Sequence, residues 1–353
     1  MNDVIVAPET RDLQSLNDQL TAWISQQMPL AQELRLTNLE YPRGAGQSHE
    51  TILFDASWRE RGEPRTQGYV VRIKPTRHSV FPDDLFAEQY RVMRVMHEHG
   101  RVPIARPLWF EANSAIVGAP FFVMEKVIGR VAVSVPPYSS VGWVADATPA
   151  ERRKLWENGV RQLAAIQTVP LSAVRFLRGR TRGAEEGLEQ EWDKYVRFIE
   201  WVECDRPWPI LHMGLERLRS QWPAHQPPGI VWGDARLGNL MYDENFDVVA
   251  VMDWEQPSLG GALHDLAWWL FNSWTMHSGQ PGRPYLAGMG SREDTLALWR
   301  ELTGIPTDDI EWYEDFTALK YSCLSIRTFK LRGMAPPEEA FIAQRLKVAS
   351  IFT

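Results

Sequence analysis

One string constrains the fold of this chain more than any other. Ile230-Val231-Trp232-Gly233-Asp234-Ala235-Arg236-Leu237-Gly238-Asn239-Leu240-Met241 is followed shortly by Val248-Val249-Ala250-Val251-Met252-Asp253-Trp254-Glu255. Each half begins as an apolar, mostly β-branched run and soon reaches a carboxylate, the pattern of a short buried strand with a polar exit. Asn239 stands five residues after Asp234, and Asp253 nineteen after it. Two strands ending side by side would bring Asp234, Asn239 and Asp253 into one small volume. Phosphoryl transfer requires a carboxylate that orients a hydroxyl, beside hard oxygen donors that hold Mg²⁺ on the phosphates. The competing reading is three turn formers, since Asp and Asn close strands and loops in any fold. Their order, with an apolar run before each Asp, favours the site.

The patterns on either side of residue 126 differ in kind. Leu13, Leu16, Leu20, Trp23 and Ile24 recur at helical spacing within Thr10 to Met28. Thr51 to Trp58 and Gly68 to Lys74 read as strands joined by the polar turn Arg59 to Pro64, and Phe121 to Glu125 as another strand. Asp84 to His97 reads as a helix. Further on, Thr148-Pro149-Ala150-Glu151 has the form of a capping box with proline at the first helical position, so a helix should run to about Gln167. Leu188, Trp192, Tyr195, Val196 and Ile199 mark a second long helix, and short strands are expected at Gly229 to Trp232 and Val248 to Met252. The expected class is α+β. Residues 1–126 would form an N-terminal antiparallel-sheet lobe with a leading helix, and 127–353 a mostly helical C-terminal lobe.

Composition removes several alternatives. A net charge of −7 speaks against binding nucleic acid through broad phosphate neutralisation. With two cysteines, Cys204 and Cys323, neither a disulfide framework nor a Cys-based zinc site is expected, and a cytoplasmic setting fits. No apolar run approaches the roughly 18 residues of a membrane span, and the first residues lack the basic-then-apolar pattern of a secretory signal.

The Trp-Gly-Asp-Ala-Arg-Leu-Gly-Asn and Asp-Trp-Glu strings resemble the catalytic loop and metal-binding strand of the aminoglycoside phosphotransferase family, whose bilobal fold is protein-kinase-like. The resemblance runs from about Leu39 to Leu270. It includes the bacterial branch grouped with that family and the kinase domain fused to acyl-CoA dehydrogenases in animals. It implies ATP and Mg²⁺ as cofactors, Asp234 as catalytic base, and Asn239 and Asp253 as metal ligands. Trp232 stands where the family usually has His, a position that touches neither phosphate nor metal. Asp265, in an apolar helix, is read as structural, bonded to the backbone of the catalytic loop.

The resemblance also implies a nucleotide grip. Gly44, Gly46 and Ser48 would lie in a phosphate-covering loop. Arg72 and Lys74 point to one face of their strand. Arg72 is favoured as the catalytic cation on the α/β-phosphates, where most kinases carry Lys, and Lys74 is the fallback. Glu88 would pair with that cation, unless it sits at the edge of its helix and reaches water. Backbone groups from Glu125 to Val127 would bind adenine.

The implied partner is a small-molecule hydroxyl acceptor, with no nucleic acid and no membrane, and a monomer or homodimer is expected. Acceptor contacts are expected between Val127 and Trp222. There a basic string, Arg178-Gly179-Arg180-Thr181-Arg182, and Trp143, Trp156, Trp192, Trp201 and Trp208 favour an apolar or anionic alcohol, such as a hydroxyacyl thioester, over a polycation. The alternatives are a catalytically weak pseudokinase acting as a nucleotide-binding module and a metal-dependent hydrolase.

Overall fold

A two-residue turn organises the first part of the chain. Arg61 and Gly62 both take positive φ, 51° and 87°, the conformation whose twist matches that of two flanking strands. The hairpin it closes is therefore longer than the alternating segments suggest. It comprises β2 (Glu50–Glu60) and β3 (Glu63–Ile73), paired without interruption from Glu60↔Glu63 to Glu50↔Ile73. It lies in an antiparallel five-stranded sheet with α1 (Leu13–Gln27), β1 (Gln32–Glu40), β4 (Pro107–Glu111) and β5 (Phe121–Glu125), in the order β1-β2-β3-β5-β4. Asp12 caps α1 by accepting from the Gln14 N–H at 3.0 Å.

This computed structural model describes residues 11–42, 50–76, 79–179, 185–279 and 281–348. The chain divides into two compact units, residues 1–80 with 104–128, and residues 81–103 with 129–353. The helix after Asp84 belongs to the second of these units.

The core of the first unit follows from period-two burial. Ile52, Phe54 and Ala56 of β2, with Val71 and Ile73 of β3, meet Leu16, Leu20, Trp23 and Ile24 of α1. At the sheet's end Glu50 is buried but held by Arg11 at 2.6 Å and the Tyr41 hydroxyl at 2.8 Å. Sequence pattern did not reveal β1 and β4. Both are edge strands: β1 has one fully buried residue, Leu36, and β4 starts on a proline, which an edge tolerates.

The second unit opens with α2 (Phe86–His99) and the short strand β6 (Arg130–Val131), followed by α3 (Trp143–Asp146) and α4 (Pro149–Ile166). Thr148 and Glu151 form both halves of the expected capping box at the start of α4. Next come α5 (Leu188–Val202), α6 (Pro209–Ser220), β7 (Leu240–Tyr242) and β8 (Val248–Val251), with the strand order β6-β7-β8. The expected strand at Gly229 to Trp232 is absent as such. Val231 makes a single bridge to Ser258, because its neighbours give their N–H groups to a side chain rather than to a strand. The chain continues through α7 (Leu263–His277), α8 (Arg292–Thr303), α9 (Ile310–Leu331) and α10 (Glu339–Leu346). α7 buries every residue from Leu263 to Leu270, as a helix packed on all sides must. Among the described residues, no helix is long and apolar enough to cross a membrane.

Candidate active site

Three segments of the second unit converge on Asp234. The first is the turn that presents it. Gly233 has φ 104°, and a Cβ there would lie 2.7 Å from both Cβ and the carbonyl oxygen of Gln256, so only glycine fits. The second is α7, whose Asp265 reaches under this turn. Asp265 accepts from the Trp232 N–H at 2.6 Å and the Gly233 N–H at 2.9 Å, the structural role expected of it. Burial pushes the Asp265 carboxyl up to about 6, against the lowering effect of those two N–H groups and of Lys320.

The third segment is the loop from Arg236 to Asn239 with β8. Asn239, buried in a 3₁₀ turn, donates from Nδ2 to the Asp234 carbonyl at 3.0 Å and to Asp234 Oδ2 at 2.6 Å. That commits its amide nitrogen and, among the described residues, leaves Oδ1, the kind of atom a hard cation takes. The Asn239 carbonyl accepts from the Met252 N–H at 2.9 Å, so the next residue, Asp253, leaves β8 beside the loop. Asp253 is partly buried and has φ 61°, a conformation uncommon for a non-glycine residue and concentrated at functional sites. The structure thus draws Asp234, Asn239 and Asp253 together. Among the described residues no three His, Cys, Asp or Glu side chains form a metal cluster.

Sequence reading missed two residues here. Arg236 Nε donates to Asp234 Oδ2 at 2.9 Å and its Nη1 to the Ser134 hydroxyl at 3.1 Å. Trp268 of α7 donates its indole N–H to Asp234 Oδ1 at 2.7 Å. A side chain two positions after the aspartate is visible as a motif member, whereas the approach of Trp268 is purely tertiary. Each carboxylate oxygen offers two lone-pair sites. Among the described residues Oδ2 takes two donors and Oδ1 one, so Oδ1 can accept one more hydrogen bond. Arg236 and Ser134 border a cleft with Tyr138, Gly238, Asn272 and Ser273.

Trp232, at the position of the family histidine, is fully buried and donates its indole N–H to the Met252 carbonyl at 2.8 Å. It joins the turn that presents Asp234 directly to the residue after β8.

The nucleotide candidates are placed less completely. Gly44, Gly46 and Ser48 lie outside the described residues. In the first unit Arg72 sits on β3, paired across with Thr51 and Phe122. Lys74 falls just past the end of the strand and donates its N–H to Pro120. The N–H groups of Glu125 and Lys126 bond Arg106 and Gly68 within the sheet, at 2.9 Å each. In the second unit Glu88, in the first turn of α2, is 2% exposed, which excludes the water-facing alternative. The other buried residues of α2 are Phe86, Gln89, Val92, Met93 and Met96, while Leu85 and Val95 are half-buried. In the expected acceptor region Trp156, Trp192 and Trp208 are core residues and Arg178 pairs with Glu186 at 2.6 Å, while Arg180 and Arg182 lie outside the described residues.

Comparison with known proteins identifies the family and the fold. The family model described as the phosphotransferase enzyme family matches residues 45–303. Human acyl-CoA dehydrogenase family member 11 is 26% identical over 313 residues, covering 86% of this chain but 36% of that protein. The chain therefore spans about a third of that relative's length. Among solved structures, a protein of Ralstonia eutropha JMP134 assigned to the aminoglycoside phosphotransferases superposes with a TM-score of 0.66, at 24% identity over 94% of both chains. An amicoumacin kinase bound to AMP-PNP, Ca²⁺ and its antibiotic gives 0.57 at 15% identity, over 95% of this chain and 94% of that one. These likenesses establish a shared fold.

Proposed function

The chain belongs to the phosphotransferase enzyme family, and on that premise we propose that it transfers the γ-phosphate of ATP to a hydroxyl of a small-molecule acceptor. The observation that carries this reading is the state of Asp234. Its carboxylate is fixed by Trp268, Asn239 and Arg236, yet Oδ1 keeps one acceptor position. A hydroxyl donating to that position is aimed by a group that cannot swing, so its oxygen is oriented before transfer begins. The proton leaves towards the same Oδ1. Arg236, bonded to Oδ2, holds the carboxylate in this orientation and brings positive charge to the loop where anionic oxygens gather.

Mg²⁺ would be held by Asn239 Oδ1 and the Asp253 carboxylate, and would neutralise charge on the phosphates. For ATP itself, Arg72 is the proposed phosphate cation, with Lys74 the fallback. Because Glu125 and Lys126 already use their N–H groups in the sheet, adenine would take its backbone donor from Val127.

For the acceptor we favour an alcohol with an apolar body, such as a hydroxyacyl compound. From Trp268 a row of rings continues through Phe271, 6.5 Å away between centroids, to Tyr321 at 4.9 Å. The Arg345 guanidinium lies 4.7 Å over Tyr321. The rings offer an apolar body to pack against, and the Arg345 charge favours an anionic molecule over a polycationic aminoglycoside.

The test is ADP formation from ATP across a panel of hydroxy acids, hydroxyacyl thioesters and aminoglycosides, with Asp234→Ala alongside. Turnover should fall by about 10²–10⁴-fold in the variant, with nucleotide affinity little changed. Nucleotide binding without acceptor-dependent ADP would instead identify the pseudokinase, which the arginine at position 72 favours.

A further inference from the structure

Behind the catalytic turn lies a set of buried charges that the proposed reaction does not use. Glu191 of α5 is 1% exposed and receives Lys320 of α9 at 2.9 Å, Lys194 at 3.4 Å and the Ser258 hydroxyl at 2.5 Å. Lys320 also reaches His264 Nδ1 at 3.1 Å, and Lys194 donates to the Gln256 carbonyl at 3.2 Å. The fit is close: a Cβ at Gly260 would collide with the Glu191 side chain.

Two of these contacts lead to Asp234. Ser258 pairs with Val231 through both backbone bonds, at 2.9 and 3.2 Å, just ahead of Trp232-Gly233-Asp234. His264 precedes Asp265, which holds the Trp232 and Gly233 N–H groups. We propose that Lys320 is a positioning residue for the catalytic turn, acting from α9 through Glu191 on the Ser258 segment and through the start of α7 on Asp265. The proposal rests on Asp234 being the residue that orients the acceptor.

Charge balance explains why a lysine is needed at this site. Facing Asp265 are Lys320 from α9 and Glu191 from α5, with Lys194 beside Glu191 and His264 on α7 itself. Burial, reinforced by Lys320, drives the His264 pKa far down, so its imidazole is neutral and accepts from Lys320. Burial alone would raise the Glu191 carboxyl, but the two ammonium groups beside it prevail and keep it ionised. Two lysines against Glu191 and Asp265 give neutrality only when Asp265 is ionised. An ionised Asp265 accepts from two N–H groups. Once protonated, one of its oxygens becomes a donor and an N–H of the turn loses its partner.

The experiment compares wild type with Lys320→Met, in which Glu191 keeps Lys194 and Ser258. Lys320→Gln, which retains a donor without the charge, is examined in parallel should the methionine variant fail to fold. The Asp265 carboxyl is followed by ¹³C NMR titration, assigned with Asp265→Asn, and kcat and KM are measured against pH. The expected result is an Asp265 titration moved up by about one pH unit or more, an acid limb of kcat that moves with it, and a KM for ATP within about twofold, as for loss of an interaction that acts only in the chemical step.

An Asp265 titration at its wild-type position in a folded variant overturns the proposal, and so does a shifted titration with an unmoved kcat profile. The NMR readout needs no turnover. If the wild type forms no ADP with any acceptor while Asp265 still shifts, the phosphotransfer reading fails and the electrostatic link stands.

Discussion

Replacing Trp268 with Phe removes one N–H from the site and leaves an aromatic ring in place. The lost bond, Nε1 to Asp234 Oδ1 at 2.7 Å, has a charged acceptor, a class that contributes about 1.5–3 kcal/mol. The Asp234 side chain is 25% exposed, so water can replace part of this bond, and the lower end, about 1.5–2 kcal/mol, is the better figure. Asn239 and Arg236 still hold Oδ2, so the carboxylate stays in the site but can rotate about the axis they define. If the whole of that energy is felt in the transition state, kcat falls by about 10- to 30-fold, with KM for ATP unchanged. Coupled measurement of ADP release gives both constants. A double-mutant cycle on thermal stability with Asp234→Ala separates hydrogen bonding from packing. A kcat within about twofold of wild type, when hydrogen bonds to charged groups are normally this costly to lose, would refute the idea that a rigid Oδ1 orients the acceptor. So would a stability loss of equal size in both backgrounds.

Two further substitutions probe the nucleotide side. Asp253→Asn should weaken nucleotide binding in Mg²⁺ by about tenfold or more while leaving Mg²⁺-free binding intact, because it removes an anionic oxygen that a hard cation requires; calorimetric titration with and without the metal measures this. Arg72→Ala should raise KM for ATP and lower kcat whereas Lys74→Ala does little, since Lys74 lies beyond the last residue of β3 and its N–H already binds Pro120. A steady-state comparison showing Lys74→Ala to be the more damaging would shift the assignment by two residues along the chain.

What the chain reveals before its structure is known depends on how local the signal is. Thr148 and Glu151 announce α4 because the capping box is complete within four residues. The order of Asp234, Asn239 and Asp253 is equally legible, since five residues of loop and a two-strand return fix their spacing. Edge strands are not, because β1 buries little and so lacks the alternation that marks a strand. The strand expected before Trp232 failed for a related reason. Ile230-Val231-Trp232 is apolar enough for a strand, but the N–H of Trp232 goes to Asp265, thirty-three residues away. Trp268 and Lys320 reach the site only through helix packing, and Trp268 reads as one more member of an apolar helix. No spacing rule connects them to Asp234.

At position 232 the ring differs from the motif's, but a donating ring N–H is present. An indole and an imidazole, the ring of the family's usual histidine, each carry a ring N–H that can donate, and here the indole gives it to the Met252 carbonyl. They differ in that imidazole titrates near neutrality and indole does not. The brace between the catalytic turn and β8 is therefore insensitive to pH in this chain, and the titratable element of the scaffold becomes Asp265. Its carboxyl stands at about 6, against an ordinary value of 3.8. Ionised Asp265 therefore costs the fold about 3 kcal/mol at neutral pH. As pH falls from about 6 towards 4, the folded state binds the proton more tightly than the unfolded chain, and that cost is relieved. The same protonation removes an acceptor from beneath Trp232 and Gly233. Fold stability and the hydrogen bonding of the turn therefore pull in opposite directions across this pH range; burial places the crossing point high, and the two N–H groups and the charge on Lys320 draw it down.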